Sequence, residues 1–128
     1  MIVGIGIDIV AISRITAMIE RHGDRALKRL YTDIERAYCG PMPNPALHYA
    51  ARFAAKESFV KAIGTGFSQG VAWRDIGIVN EPSGRPRLVL EGMARTFLER
   101  VGATVAHVSL SHDPTHAAAV VILEKAKG

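Results

Sequence analysis

The chain has 128 residues, which suits one domain with room for a hydrophobic core, so we predict a single domain over residues 1–128. Hydrophobic residues make up 48% of the sequence and charged residues 22%, a balance that excludes a disordered chain. The net charge of +4 indicates an anionic partner, but the few aromatic residues are scattered, so we expect no base-stacking surface for nucleic acid.

Two features indicate the compartment. Cys39 is the only cysteine, so the chain can form neither an internal disulfide nor a cysteine-based zinc site, and a reducing cytoplasm is expected. The first residues lack a basic region and carry Asp8 early in an apolar run. They therefore predict neither a signal peptide nor a membrane span.

The first third of the chain predicts a strand followed by helices. Residues 2–10 are β-branched and glycine-rich, which indicates a buried strand. Residues 12–29 carry isoleucines at three- and four-residue steps and predict a helix with one apolar face. Thr32, with Glu35 three residues later, resembles a capping box and predicts the start of a short helix.

The middle of the chain contains the clearest helix. Three prolines between residues 40 and 45 predict a loop. Residues 46–63 are rich in alanine and hold neither glycine nor proline, so they predict a helix that ends at Gly64. A glycine-rich loop follows over 64–70.

The last third predicts strands around one more helix. Residues 74–80 and 86–90 predict two strands, and residues 91–101 predict a helix. Residues 104–111 and 116–123 predict a hairpin, whose second arm is apolar on both faces and therefore central or buried in an interface. A run of helices with antiparallel hairpins indicates an α+β fold.

Three charged residues are the strongest candidates for chemistry. Asp8 lies within an apolar strand, where a carboxylate should be paired, protonated or bound to a metal. Glu57 and Lys61 are four residues apart on one helix face, which fits either a surface ion pair or part of a site for a phosphate-bearing substrate with Mg²⁺. The residues alone leave these alternatives open.

Two further segments are ambiguous. Gly64, Thr65 and Gly66 would let the backbone approach a phosphate, but they follow a helix C-terminus, where the dipole repels anions. Ser111 and His112 are neighbours on a strand and point to opposite faces, so a catalytic triad is not expected there. Two interpretations of this segment remain open: a polar strand end close to a bound ligand, or a hairpin without a functional role.

A basic stripe is predicted along the first helix. Arg14, Met18, Arg21 and Arg25 recur at three- and four-residue steps. Such a stripe is usually a solvated face, but a methionine among arginines also suits docking to an acidic amphipathic helix.

These motifs occur together in one family. Gly4 to Val10, G-I-G-I-D-I-V, resembles the opening of the bacterial holo-acyl-carrier-protein synthases. Arg52 to Gly66, R-F-A-A-K-E-S-F-V-K-A-I-G-T-G, resembles their central signature. The segment ending at Pro86, G-R-P, and Ser109 to His112, S-L-S-H, resemble two further motifs in the same order.

The resemblance implies a function and a site. It implies an α+β fold with a small antiparallel sheet wrapped on a long central helix, usually a homotrimer with active sites at subunit interfaces. It implies transfer of 4′-phosphopantetheine from coenzyme A to a serine of acyl carrier protein, in support of fatty acid biosynthesis, without nucleic acid or membrane as a partner. The implied site residues fall into three groups. Asp8 and Glu57 would hold Mg²⁺ and act in catalysis with Lys61; coenzyme A would meet Arg52, Lys61, Gly64, Thr65, Gly66, Pro86, Ser111 and His112; the carrier protein would meet Arg14, Met18, Arg21 and Arg25.

Two other classes of function fit parts of the sequence. A small basic nucleic-acid-binding module would explain the charge, and a non-catalytic coenzyme A-binding module would explain the glycine loop. Neither explains the two carboxylates. Transferases for peptide or polyketide carriers are a near neighbour, typically about twice this length, so the chain length argues against them.

Overall fold

A computed structural model of the chain describes residues 1–127 and contains five strands and four helices over that range. None of the described helices is both long and apolar enough to cross a bilayer. The elements are, in chain order, β1 (Ile2–Ala11), α1 (Ile12–Leu30), α2 (Asp33–Cys39), α3 (Pro45–Ile63), β2 (Ile76–Asn80), β3 (Pro86–Leu90), α4 (Gly92–Arg100), β4 (Val105–His112) and β5 (His116–Glu124).

The strands form two antiparallel sheets. One has the order β1-β5-β4, so β5 is its central strand, as its uniformly apolar sequence predicts. The other is the hairpin of β2 and β3. The expected α+β fold is thereby confirmed, but the single small sheet is divided in two. The predicted strand at 74–80 also begins later, because Trp73–Asp75 form a 3₁₀ turn.

Helix α3 is the centre of the fold because small residues let β1 approach it closely. A Cβ on Gly6 would lie 1.8 Å from the carbonyl oxygen of Ser58, and one on Gly4 would lie 2.5 Å from that of Ala62. Only glycine fits at these two positions. Two residues of strand and four of helix advance about 6–7 Å each, so the glycines and their partners stay in register.

The buried side of α3 carries an ion pair. Lys56 and Glu35 are both fully buried, and Lys56 Nζ lies 2.7 Å from Glu35 Oε1. The ammonium also donates to the backbone oxygens of Trp73 and Ile76, so all three of its donors are used. This pair fixes α3 against α2 and β2.

Glu35 is held from several sides as well. Its Oε1 accepts from the Thr32 amide, and the Thr32 hydroxyl accepts from the Glu35 amide, which confirms the predicted capping box. Its Oε2 accepts from the Ile78 amide. A capping glutamate therefore also satisfies a buried lysine and one strand amide.

Strand β1 is buried on one face only, contrary to the prediction of a buried strand. Ile5, Ile7 and Ile9 are 63%, 67% and 66% exposed, because α3 covers only the opposite face of β1, which carries Gly4 and Gly6. This row of isoleucines is called the isoleucine face below.

Helix α1 is interrupted at Gly23. This residue has φ 56° and ψ −142°, a left-handed backbone that favours glycine and breaks the helical path. The sequence predicted one continuous helix over 12–29. The break puts Arg25 on a second segment that does not continue the line of Arg14, Met18 and Arg21.

Candidate functional site

Strand β1 and helix α3 bring Asp8 and Lys61 together. Lys61 Nζ lies 3.0 Å from Asp8 Oδ1 and 3.0 Å from the carbonyl oxygen of Ile7. The Lys61 side chain is 51% exposed and that of Asp8 is 19% exposed. An ammonium has three donors, so one remains for a ligand approaching from solvent.

Glu57 lies one helical turn from Lys61 and is half-buried. Burial, and then the negative charge of Asp8, raise the pKa of Glu57 above its ordinary value of 4.5. The positive charges of Lys61 and Arg14 lower it in part. Glu57 is therefore close enough to Asp8 for the two carboxylates to repel each other, and it does not form the simple ion pair with Lys61 that spacing allows.

The donor set suits a hard divalent cation. Two neighbouring acidic side chains supply oxygen ligands, and a cation between them would relieve their repulsion. Within residues 1–127, no three side chains of His, Cys, Asp or Glu gather as a metal site. The remaining ligands would be water and substrate oxygens, which is how Mg²⁺ is usually bound.

The glycine loop after α3 is closed by its own backbone. Gly64 has φ 83° and ends the helix as predicted, and the amides of Gly64, Thr65 and Gly66 all lie within 3.2 Å of the Val60 carbonyl oxygen. These amides point at the helix end, so they do not form a cradle for a phosphate in this conformation. Contacts to coenzyme A by these residues stay a prediction.

Arg52 is largely engaged within the protein. It is 3% exposed, donates to Asn80 Oδ1 at 2.6 Å and lies over the ring of Tyr38. Its buried Nε has no hydrogen-bond partner among residues 1–127. Asn80 pairs with Pro86 across the β2–β3 hairpin, so Arg52 and Pro86 lie in one region; their contact with coenzyme A stays a prediction.

Ser111 and His112 lie at the end of β4, away from the carboxylates. Ser111 lines a hollow with Ile7 on the isoleucine face, whereas Asp8 contacts Lys61 on the helix side of the sheet. The sheet therefore separates Ser111 from the carboxylates within one chain, whereas His112 lines a hollow with Ile12 and Leu47 and points to the helix side. The neighbouring Asp113 accepts bonds from Thr115 and His116 and closes the hairpin, which assigns it a turn role.

The basic surface is formed by both segments of α1. A groove of about 490 Å³ is lined by Met18, His22, Arg25, Ala26, Arg29 and Leu30. Arg14 is not part of this groove; its guanidinium lies 5.1 Å from the centre of the Phe53 ring and its charge acts on Glu57. Arg14 thus adjoins the carboxylates, which the stripe alone did not indicate.

Comparison with known proteins decides the family. The model of the 4′-phosphopantetheinyl transferase superfamily matches residues 4–121. The chain is 49% identical over 124 residues to the holo-[acyl-carrier-protein] synthase of Koribacter versatilis, covering 97% of this chain and 99% of that one. This chain belongs to the 4′-phosphopantetheinyl transferase superfamily.

Solved structures of the superfamily agree with this fold. The holo-[acyl-carrier-protein] synthase of Neisseria meningitidis superposes with a TM-score of 0.89 at 35% identity, covering 98% of this chain and 100% of that chain. That of Helicobacter pylori, solved in complex with coenzyme A, has a TM-score of 0.83 at 30% identity, covering 94% and 99%. The predicted family is confirmed.

Two features of this transferase escaped the sequence analysis. The first is the buried pair of Lys56 and Glu35, for which the only signal was a lysine on the alanine-rich face of α3. The second is a stack of Phe53, Trp73 and Phe67, whose members lie on α3, in the 3₁₀ turn and in the glycine loop. Three aromatic residues at irregular spacing give no periodic signal, so only the fold reveals them.

Proposed function

We propose that this superfamily member transfers 4′-phosphopantetheine from coenzyme A to a serine of apo acyl carrier protein and releases 3′,5′-ADP. The serine oxygen forms a bond to the phosphorus that carries the pantetheine arm, and the bond from that phosphorus to the ADP oxygen breaks. The observation that carries the proposal is that Asp8, Glu57 and Lys61 lie close together in a fold shared with the holo-[acyl-carrier-protein] synthases.

Glu57 is our candidate for the general base. Its raised pKa makes the carboxylate a better proton acceptor than an ordinary glutamate. The serine belongs to the carrier protein, so no serine of this chain need be a nucleophile.

Lys61 is placed to stabilise the transferring group. Two of its donors hold Asp8 and the Ile7 carbonyl, and the third is free to bond a phosphoryl oxygen. A positive charge held in place beside the transferring group stabilises the negative charge that develops on it during phosphoryl transfer.

Asp8 and Glu57 would hold Mg²⁺ in this proposal. The bound ion would neutralise charge on the phosphoryl oxygens. The support is the pair of neighbouring acidic side chains, whose repulsion a bound cation would relieve.

The carrier protein would dock along α1. Arg14, Met18 and Arg21 would meet it on the first segment, and Arg25 at the groove on the second. A basic surface around a methionine suits an acidic partner with an apolar residue at its centre.

We further propose a homotrimer with active sites between subunits. The isoleucine face exposes three large apolar side chains in a row, which a stable monomer rarely does, and Ser111 lies on that same face. A neighbouring copy would bring its Ser111 and His112 to the cofactor of the first. Size-exclusion chromatography with light scattering tests the assembly.

A place in cytoplasmic fatty acid biosynthesis follows from the same proposal. Acyl carrier protein is the substrate, and the single cysteine is fully buried and unpaired, as suits a reducing compartment.

Intact-mass spectrometry of apo acyl carrier protein tests the function directly. Incubation with the wild-type chain, coenzyme A and Mg²⁺ should add one phosphopantetheine to the carrier, and EDTA should prevent the addition. Asp8→Asn removes one negative ligand without changing size, and should slow the transfer about 10³-fold or more. Modification of the carrier at the wild-type rate by Asp8→Asn would refute the site.

A further inference from the structure

Three aromatic rings form a continuous stack beside the glycine loop. The rings of Phe67 and Trp73 are 3.7 Å apart and 12° from parallel, and those of Trp73 and Phe53 are 4.8 Å apart and 28° from parallel. Phe53, Trp73 and Phe67 are called the aromatic stack below. It joins helix α3 to a loop that has no regular structure.

The Val60 carbonyl oxygen holds the amides of Gly64 to Gly66, so the outer part of the loop depends on other contacts. Four of its residues, Gly64, Gly66, Gln69 and Gly70, have positive φ. Between Gly64 and Gly70, Phe67 is the only large apolar side chain. Because glycine-rich backbone is costly to order, the half-buried ring of Phe67 helps to determine where the outer part of the loop lies.

The fixed end of the aromatic stack is anchored in the core. Phe53 is 5% exposed, and the Trp73 carbonyl oxygen accepts a bond from buried Lys56 at 3.1 Å. Phe67 is only half-buried and sits on the loop itself. The stack therefore has a rigid part, Phe53 and Trp73, against which Phe67 can hold or release the loop.

The other face of the stack adjoins the carboxylates. Arg14 lies over the Phe53 ring and its charge lowers the pKa of Glu57. The loop is thus connected through three rings to a residue at the catalytic mouth. Lys61 lies in the last turn of α3, next to the loop. A displaced loop would therefore alter the path by which a cofactor reaches Lys61.

We propose that Phe67 is a positioning residue for coenzyme A. By stacking on Trp73 it holds the outer part of the loop, residues 67–70, which the Val60 carbonyl oxygen does not hold, so that the cofactor does not have to order this part when it binds. This inference rests on the proposed function, since it takes coenzyme A as the ligand of the loop.

Phe67→Ala tests the proposal in kinetics. We expect the KM for coenzyme A to rise about 5- to 20-fold, with kcat and the KM for carrier protein changed less than about twofold. Phe67→Tyr keeps the ring and should restore the wild-type KM. Phe97→Ala is the matched control, because Phe97 is also half-buried but lies on α4 under Arg100.

Fluorescence gives a readout that does not need activity. Trp73 is the only tryptophan of the chain, so its emission reports on the aromatic stack. Phe67→Ala should shift the emission of the free protein, and titration with coenzyme A should show the same loss of affinity as the KM. Phe97→Ala should do neither.

The outcomes separate two failures. Wild-type protein that neither modifies the carrier nor binds coenzyme A would overturn the proposed function and this inference with it. A wild type that does both, beside a Phe67→Ala variant with unchanged KM and emission, would overturn the inference alone. So would an equal rise in the KM for coenzyme A in Phe97→Ala, since general loosening would then explain the effect.

Discussion

Helix α3 contributes the lysine of two lysine–carboxylate pairs, which have the same charged groups but differ in burial and in the bonds they leave free. Lys56 and Glu35 are 0% exposed and meet at 2.7 Å, whereas Lys61 and Asp8 are 51% and 19% exposed and meet at 3.0 Å. The two lysines are only five residues apart, so they point to different sides of the helix.

The difference lies in how many donors and acceptors remain free. Lys56 uses all three of its donors on Glu35 and two backbone oxygens, and burial lowers its pKa while Glu35 raises it in part. Lys61 keeps a donor free at the surface. A saturated pair can only hold the structure together, whereas an unsaturated pair at a mouth can exchange a protein partner for a ligand.

Breaking the buried pair should have the largest effect on stability. Lys56→Met leaves the Glu35 carboxylate buried without its cation and should lower the free energy of unfolding by about 3–5 kcal/mol. Urea denaturation measures this change. The matched variant Lys61→Met removes the same ammonium five residues further on and should cost less than about 1 kcal/mol.

Cys39 offers an independent probe of the same region. Burial raises the pKa of its thiol to about 11, so the folded wild type should resist thiol reagents at pH 8. Lys56→Met should label faster, because α2 opens more often. Equal stability and equal labelling in the wild type and Lys56→Met would contradict the structural role of the pair.

Breaking the exposed pair should instead act on activity. Lys61→Met removes the donor that we propose bonds the phosphoryl group and should lower kcat about 10²- to 10³-fold. The assay is carrier modification at saturating coenzyme A and Mg²⁺, with Lys125→Met as an exposed lysine outside the site. If Lys61→Met lost activity only in proportion to lost stability, the two pairs would not differ in kind.

Much of this contrast could be predicted from sequence, because it depends on local patterns. Asp8 stood out as a charge in an apolar strand, and Glu57 and Lys61 as a pair four residues apart. The capping box at Thr32 and the end of α3 at Gly64 follow from residue types within one turn. The four motifs, taken in order, were enough for the family.

The rest depends on contacts between distant segments. Glu35 satisfies a cap locally, and nothing nearby shows that it also meets Lys56, 21 residues away. Glycine is tolerated within a helix, so the sequence did not indicate the break at Gly23. The division into two sheets depends on which strands pair in the fold, where β3 pairs with β2. The inward-facing loop amides likewise follow from the carbonyl of Val60, which only the folded helix end presents.

Removing the charge of Glu57 should raise the stability of the fold, the opposite of the effect expected for Lys56→Met, and by a smaller amount. Its pKa is raised on folding, so its contribution favours the folded state below about pH 4.5 and is lost as the pH rises through the higher folded value. At neutral pH, with EDTA present, Glu57→Gln should therefore melt at a higher temperature than wild type, by at most a few degrees.

The pH series gives the sign of this effect. Below pH 4.5 the wild-type carboxyl is also neutral, so the difference in melting temperature between Glu57→Gln and wild type should shrink. A difference that grew as the pH fell would mean that the ionised carboxylate stabilises the fold. The same variant should be inactive, which would make Glu57 a residue kept for function at some cost in stability.

The smallest effect is expected for a third ion pair, which extends the comparison to full exposure. Arg95 and Glu99 lie on α4 with side chains 68% and 67% exposed and a closest distance of 3.5 Å. A pair four residues apart on a solvated helix contributes about 0.3–0.5 kcal/mol, and salt screens it. A double-mutant cycle of Arg95→Ala and Glu99→Ala, measured by urea denaturation in low and high salt, should find a coupling in that range that fades with salt. A salt-independent coupling of more than about 1 kcal/mol would show that exposure does not determine how much an ion pair stabilises this protein. The contrast between Lys56 and Lys61 would then need another cause.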